Sequence, residues 1–340
     1  MSPSLMRRAS RLALALLVAG CGGADGGRTA RAPGHSAAAG GGPLEVLAAG
    51  SLVRALRAAL DSFAARTRVP YTLEAAGSLE LARRLTDLDK RADVLALADE
   101  EVFPRLLMPT HVSWYVRFAR NRLVLAHSAN ARALAEARGD GWRGVVSRDD
   151  VEVGRADPDL DPAGYRTLLL FQVAERWYGD SDLARRLEAA TPRRHVRPKS
   201  AELVALLQAG ELDYAWMYES TARGARLPFI ALPPAIDLGD ESRDTDYALA
   251  RVRVLGTRVG DTLELRGMPI RYGISIPRAA PHPSQAEAFV RYLLSRDGQA
   301  VLRAEFLDAL AQPIVMGTGA PAWLGDGGAR PALPPDSARR

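Results

Sequence analysis

The pentapeptide AAGSL occurs twice in this sequence, at residues 48–52 and 75–79. In each copy a short apolar run precedes the glycine, and leucines at helical spacing follow the serine. The first-turn N–H groups of a helix are unpaired and carry the positive end of the helix dipole. Ser51 and Ser78 therefore lie where hydroxyl and N–H groups together can bind an anion. The alternative is that each serine only caps its own helix.

A third candidate is the acidic stretch ADPDLDPAGYR, which contains Asp157, Asp159 and Asp161. The alternating aspartates resemble the start of a calcium loop, but such a loop requires a glycine at its sixth position and a glutamate at its twelfth. Pro162 and Leu168 occupy those positions here, so we do not expect calcium. Asp161 and Pro162 instead fit the N-cap and the first turn of a helix.

A fourth candidate helix start is RPKSAELVALL, in which Ser200 is the expected cap. The segment ELDYAWMYES follows, and its apolar part predicts a strand that ends at Tyr218. A tyrosine in such a strand is by default a core aromatic whose hydroxyl finds a local partner.

The elements that would position these residues alternate between strand-like and helix-like runs. The continuous apolar run ADVLALA is typical of a strand that helices cover on both faces. Helices are expected at about 162–178, 200–209 and 284–304. This alternation predicts an α/β fold with mainly parallel sheets and helices on both faces. In such a fold ligands bind beyond the carboxyl ends of the strands, where both AAGSL copies are expected.

The N-terminal segment has the pattern of an export signal. Three arginines precede the short apolar run LALALLVAG, which is too short to span a bilayer but is typical of a secretory signal. Its last residues resemble a bacterial lipobox that ends at Cys21, the only cysteine in the chain. We therefore expect a signal peptide at 1–20 and lipid attachment at Cys21. The alternative is a signal peptide that is cut elsewhere.

The composition indicates a folded exported protein with loosely structured ends. Residues 21–43 are rich in glycine and alanine and predict a flexible tether, and residues 319–340 predict a loose tail. With 47% hydrophobic and 25% charged residues, the rest can bury an ordinary core. Without the three arginines of the N-terminal segment, 42 basic residues face 40 acidic ones. No basic block with interleaved aromatics is present, so nucleic acid is not an expected partner.

Several segments, in this combination and order, resemble the molybdate/tungstate-binding proteins of ABC transporters, especially their archaeal-type branch. The resemblance covers about residues 44–318. It implies a type II periplasmic binding protein in which two α/β lobes close over a ligand. Lobe 1 would comprise 44–120 and 268–318, and lobe 2 would comprise 121–267. The segments that carry the resemblance are AAGSL, EAAGSLELARRLTDLDKRADVLALAD, WYVRFARNRLVLA, DPDLDPAGYR, GELDYAWMYES and YGISIP.

The resemblance also implies a binding site. The family places a glutamate at the position of Ser200, and that glutamate and the aspartate matching Asp161 approach the metal atom of the bound anion. We therefore expect Asp161 to face the Mo or W atom of the ligand, with Ser200 lacking the second carboxylate. The expected ligand-binding residues are Gly50, Ser51 and Ser78 from lobe 1, and Asp161, Pro162, Ala163, Ser200 and Tyr218 from lobe 2.

The implied function is that of an exported, lipid-anchored receptor, periplasmic or on the cell surface. It would capture tungstate or molybdate between its lobes and deliver the anion to an ABC permease and its ATPase. We expect a monomer without cofactor or enzymatic activity. One alternative is a receptor for sulfate or phosphate. The other is a metal-dependent hydrolase, but the five histidines are scattered and no HExxH, GxSxG or Walker A sequence is present.

Overall fold

The computed structural model describes residues 42–256 and 260–325. The predicted signal peptide, the lipidation site Cys21 and nearly all of the predicted tether lie outside the described residues, as do residues 326–340 of the predicted tail. Within the described ranges, no helix is long and apolar enough to cross a membrane.

The described residues form strands and helices in alternation, as the sequence predicts. The strands are β1 (Leu44–Ala49), β2 (Tyr71–Ala76), β3 (Val94–Leu97), β4 (Trp114–Asn121), β5 (Leu123–His127), β6 (Val153–Ala156), β7 (Val196–Arg197), β8 (Tyr214–Tyr218), β9 (Phe229–Ala231), β10 (Arg251–Leu255), β11 (Thr262–Arg266), β12 (Ile270–Ser275) and β13 (Asp308–Gly317). The helices are α1 (Val53–Thr67), α2 (Ser78–Asp87), α3 (Trp142–Val145), α4 (Pro162–Tyr178), α5 (Leu183–Ala189), α6 (Ser200–Ala209), α7 (Glu219–Gly224), α8 (Asp244–Tyr247), α9 (Pro283–Leu294) and α10 (Arg296–Ala304).

Two mixed sheets organise these elements. The first sheet has the order β13-β4-β12-β3-β1-β2, and the second has the order β7-β6-β8-β5-β9. In the first, β1 pairs in parallel with β2 and β3, whereas β12 and β13 run antiparallel to their partners. In the second, β6 pairs in parallel with β7 and β8, whereas β5 runs antiparallel to β8 and β9. Strands β10 and β11 form a separate antiparallel hairpin.

The predicted α/β class is confirmed, but the expectation of mainly parallel sheets is wrong. The parallel pairings are those among β1, β2 and β3 and among β6, β7 and β8, two runs in which helices separate successive strands. Such helical crossovers are what parallel pairing requires. β4 and β5, separated by Arg122 alone, lie in different sheets, and each pairs with antiparallel strands from other parts of the chain.

The helices predicted from the apolar spacing lie where expected. α4 and α6 have the predicted bounds, and the buried face of α1 consists of Leu56, Leu60 and Phe63 with their alanine neighbours. The single helix expected at 284–304 is two helices. The break falls at Ser295, whose hydroxyl accepts a hydrogen bond from the Gly298 N–H and so caps α10. A polar side chain that bonds nearby backbone competes with helix continuation.

Candidate functional site

The two AAGSL copies lie side by side at one edge of the first sheet. β1 and β2 are parallel neighbours, and their register pairs Ala48 with Ala75 and Ala49 with Ala76. The first copy continues into a short 3-10 turn at Gly50–Leu52, and the second continues into α2 at Ser78. Because the two strands are parallel and in register, both junctions open at the same carboxyl edge of the sheet.

Neither serine caps its helix. The N-cap of α2 is Gly77, the residue before α1 is Leu52, and no side-chain hydrogen bond caps either helix. The alternative that Ser51 and Ser78 act only as caps is therefore wrong. Both hydroxyls instead accept a hydrogen bond from a distant part of the chain.

The Ser78 hydroxyl is fully buried and accepts a hydrogen bond of 3.0 Å from the Ala98 N–H, just after β3. The half-buried Ser51 hydroxyl accepts one of 3.2 Å from the Tyr272 hydroxyl on β12. Tyr272 in turn accepts a hydrogen bond of 2.6 Å from the Asn121 side-chain amide. Each serine oxygen thus has a protein donor, and its own O–H group has no acceptor among the described residues.

Asp161 is the N-cap of α4, as predicted, and it also joins α4 to α6. One carboxylate oxygen accepts from the Ala163 N–H and the other from the Ser200 N–H, both at 2.9 Å. Pro162 occupies the first helical turn. The prediction that Ser200 caps α6 is wrong: the N-cap is Lys199, without a side-chain bond, and the Asp161 carboxylate serves the start of α6 instead.

Burial raises the pKa of Asp161, while the hydrogen bonds from Ser200 and Ala163 and the charge of Arg166 oppose that rise. The N–H group of Ala163 is bonded to Asp161, and Pro162 has no N–H group. Of the residues expected on this side of the site, Tyr218 and Ser200 are the ones that carry hydroxyl groups, and the Ser200 side chain also bonds the Asp161 carboxylate.

The other two aspartates of the acidic stretch organise the loop before α4. An Asp157 carboxylate oxygen accepts from the Asp159 N–H at 2.9 Å. An Asp159 oxygen accepts from the Leu255 N–H at 2.7 Å and so fixes the loop to the β10–β11 hairpin. Short acidic side chains commonly bond backbone N–H groups in this way. The run of carboxylates therefore serves the loop geometry.

Tyr218 ends β8 and is fully buried, but the expectation of a local hydroxyl partner is wrong. Its oxygen accepts a hydrogen bond of 2.7 Å from the Arg166 guanidinium, 52 residues away. Arg166 is 2% exposed, forms an ion pair of 3.2 Å with Asp99, and donates to the Ala98 carbonyl. Burial alone would lower the pKa of Arg166, but Tyr218 and Asp99 beside it raise that pKa above its ordinary value. Arg166 is therefore a fixed buried cation.

A series of contacts links Ser51, Tyr218 and Ser78. Ser51 bonds Tyr272, whose aromatic ring packs at 6.0 Å against that of Tyr218. Tyr218 bonds Arg166, which donates to the Ala98 carbonyl, and the Ala98 N–H bonds Ser78. A cleft of about 580 Å³ between α1, α6 and α7 reaches Gly50 and Ser51. Three of the predicted residues, from both sheets, are thus linked.

The three hydroxyl groups linked in this way are potential hydrogen-bond donors. Ser51, Ser78 and Tyr218 each accept a bond from a protein donor, and none of the described residues accepts a bond from any of the three hydroxyls. Burial raises the pKa of Tyr218 well above its ordinary value, so its hydroxyl keeps its proton. Three O–H groups and a nearby buried cation suit an anion with several acceptor oxygens.

Sequence reasoning missed the residues that hold these hydroxyls. Arg166 and Tyr272 lie within the segments DPAGYR and YGISIP, yet no spacing rule assigns them to the site. Asn121 ends β4 and Asp99 follows β3, and both reach their partners only through the tertiary fold. The available signal was the presence of charged or polar residues at the ends of otherwise apolar strands.

Residues 44–307 match the family described as bacterial extracellular solute-binding protein. A relative named molybdate/tungstate-binding protein WtpA, from Pyrococcus abyssi, is 32% identical over 271 residues, 74% of this chain and 78% of that protein. The periplasmic molybdate-binding protein of Azotobacter vinelandii has a TM-score of 0.55 at 15% identity, covering 78% of this chain and 98% of that one. The sulfate-binding protein SubI from Mycobacterium tuberculosis H37Rv has a TM-score of 0.56 at 14% identity, covering 80% and 88%. At these identities the likeness to the two solved structures shows the fold alone.

Proposed function

The chain belongs to the bacterial extracellular solute-binding protein family, and on this premise we propose that it captures a tetrahedral oxyanion, molybdate or tungstate, between its two sheets. The observation that carries the proposal is the set of hydroxyls of the half-buried Ser51 and the buried Ser78 and Tyr218, whose oxygens already accept protein hydrogen bonds. Each O–H group is then left to donate to the ligand. A hydrogen bond to a charged acceptor contributes about 1.5–3 kcal/mol.

The proposed ligand is a fully deprotonated dianion. The only carboxylate among the predicted ligand residues, Asp161, uses both oxygens to accept backbone N–H bonds. Hydrogen phosphate carries a proton that needs an acceptor, and leaving such a proton unpaired in a buried site costs about 1–3 kcal/mol. Molybdate, tungstate and sulfate have no such proton. We propose that discrimination against sulfate rests on the smaller size of that anion.

We further propose that the two sheets are the cores of the two lobes, 44–120 with 268–318 and 121–267, which close over the anion. The name of the Pyrococcus abyssi relative supports molybdate and tungstate as the ligands. The receptor would act as a monomer without enzymatic turnover and would deliver its anion to an ABC permease and ATPase. Calorimetric titration of the purified protein with molybdate tests the proposal: saturable one-to-one binding is expected, and no binding of either molybdate or tungstate would refute it.

We propose that Cys21 anchors the protein to a membrane through a covalent lipid. Cys21 follows a lipobox-like segment, and the chain contains no other cysteine. Lipidation adds about 0.8 kcal/mol of membrane affinity per buried methylene group, so a diacylated protein should sediment with membranes. Cys21→Ser is expected to release the protein into the soluble fraction, as measured by fractionation and immunoblotting. Equal membrane partitioning of mutant and wild type would contradict the anchor.

The coordination of the bound anion is expected to depend on Ser200. A serine hydroxyl can donate to an anion oxygen but is a weak ligand for a hexavalent metal. X-ray absorption on the molybdate complex is therefore expected to show four short oxygens, with at most one further contact from Asp161. Ser200→Glu protein that still binds molybdate should gain an oxygen ligand in the same spectrum. A six-coordinate shell in the wild type would contradict this expectation.

A further inference from the structure

The glycines of the two AAGSL copies have different surroundings. A Cβ atom added to Gly50 would meet nothing within 4 Å. A Cβ atom on Gly77 would lie 1.5 Å from the carbonyl oxygen of Leu160 and 3.3 Å from the Cα atom of Asp161. Gly77 joins β2 of the first sheet to α2, whereas Leu160 lies in the loop between β6 of the second sheet and α4. The glycine is thus a point of direct contact between the two halves of the site.

The backbone conformation of Gly77 does not itself require glycine. Its φ of −68° and ψ of 151° are extended values that any residue adopts. The absence of a side chain is therefore needed only for the approach of Leu160. Gly50 and Gly77 occupy the same place in their repeats, but only Gly77 faces the loop of Leu160. The requirement for glycine at position 77 therefore comes from that opposing loop.

The opposing loop has little freedom to move aside. The N–H groups of Leu160 and Asp161 both donate to the Asp157 carbonyl, at 3.2 and 2.9 Å. Asp159 is fixed to the β10–β11 hairpin, and Asp161 is fixed to the starts of α4 and α6. A side chain at position 77 would therefore have to displace backbone, together with the helix starts that carry Asp161 and Ser200.

Two cationic side chains cross the same junction. Arg83 of α2 donates to the Asp159 carbonyl at 3.4 Å, and Lys199 donates to the Ala75 carbonyl of β2 at 3.4 Å. These bonds flank the contact between Gly77 and Leu160, and both end on backbone next to it. The junction is thus a close-fitting surface, with Gly77 at its tightest point.

We propose that Gly77 is a positioning residue for oxyanion binding, resting on the proposed function. The missing side chain lets the loop of Leu160 and Asp161 close against the start of α2. That approach brings Tyr218 and Ser200 within reach of an anion held by Ser78. A methyl group at position 77 holds the two halves apart, so the anion keeps its bonds to the first sheet and loses those to the second.

The test is Gly77→Ala in the full chain, with Gly144→Ala as the matched control. A Cβ atom on Gly144 meets nothing within 4 Å, and Gly144 lies on α3, outside the site. Molybdate affinity is measured by calorimetry, and compaction is measured by small-angle X-ray scattering with and without molybdate. Unfolding of the ligand-free proteins is followed by circular dichroism.

For Gly77→Ala we expect molybdate to bind at least about tenfold more weakly, the loss of one hydrogen bond to a charged acceptor. Molybdate is expected to decrease the radius of gyration of the wild type but not that of Gly77→Ala, and the ligand-free variant should unfold at the wild-type temperature. Unchanged affinity, or a ligand-free variant that unfolds well below the wild type, would overturn the role of Gly77. A wild type that binds neither molybdate nor tungstate would instead overturn the proposed function, and this role with it.

Discussion

Replacing Arg166 by methionine is expected to lower the free energy of unfolding by about 3–5 kcal/mol, the cost of leaving a buried charge without its partner. Arg166 and Asp99 are almost completely buried, and their ion pair of 3.2 Å joins α4 to the end of β3. The substitution also removes the donor to the Tyr218 hydroxyl, which is then no longer oriented toward the ligand. We expect molybdate binding to be lost as well. Urea denaturation and calorimetry measure the two effects.

Two variants separate stability from binding. The double variant Arg166→Met with Asp99→Asn removes both charges and should recover part of the stability, because no buried charge is left unpaired. It should not recover binding, because Tyr218 still lacks its donor. Arg148→Met removes an arginine that pairs with Asp150 at the surface, and no measurable loss is expected. If Arg166→Met keeps wild-type affinity for molybdate, the assignment of Tyr218 as an oriented donor is wrong.

Replacing both Ser51 and Ser78 by alanine is expected to weaken molybdate binding by about 1–3 kcal/mol for each lost donor, or roughly 5- to 150-fold per serine. Both serines sit at neighbouring strand ends, so both losses bear on the same bound anion. The free energy of unfolding should decrease mainly because of the Ser78 substitution, which leaves the buried Ala98 N–H without an acceptor. Calorimetric titration of each single variant and of the double variant measures the effect.

Ser147→Ala is the matched control for the serine variants. The Ser147 hydroxyl donates to the Arg143 carbonyl on α3, and Ser147 is not among the residues of the proposed site. Its substitution should leave the affinity for molybdate at the wild-type value. Equal affinity of the wild type and the Ser51→Ala/Ser78→Ala double variant would remove both serines from the site.

Local sequence patterns predicted the elements of this fold well. The bounds of α4 and α6 follow from the apolar spacing together with Asp161 and Pro162 at the start of α4. The sheets were predicted less well, because strand direction depends on how the chain crosses between them. The chain passes from one sheet to the other at Arg122, between β4 and β5, and no periodicity marks the place.

The candidate site was predictable only in part, for a physical reason. Ser51, Ser78 and Tyr218 stand at strand ends or helix starts, which a sequence pattern can locate. Their partners are set by contacts between distant segments, as in the bond from Arg166 to Tyr218. The role of Ser200 shows the same limit, since the helix it begins is served by Asp161, 39 residues earlier.

The most direct test of the central claim is a thermal-unfolding panel of the purified protein with molybdate, tungstate, sulfate, phosphate and chromate. At a thousandfold excess over the dissociation constant, a bound anion stabilises the protein by about 4 kcal/mol. We predict that molybdate or tungstate gives the largest rise in unfolding temperature at equal concentration. Phosphate should give the smallest rise at neutral pH, because its proton finds no acceptor in the site. Two results would contradict a site built from hydroxyl donors for a deprotonated oxyanion. One is an unfolding temperature that neither molybdate nor tungstate raises. The other is a phosphate-induced rise in unfolding temperature that equals the rises with molybdate and with tungstate.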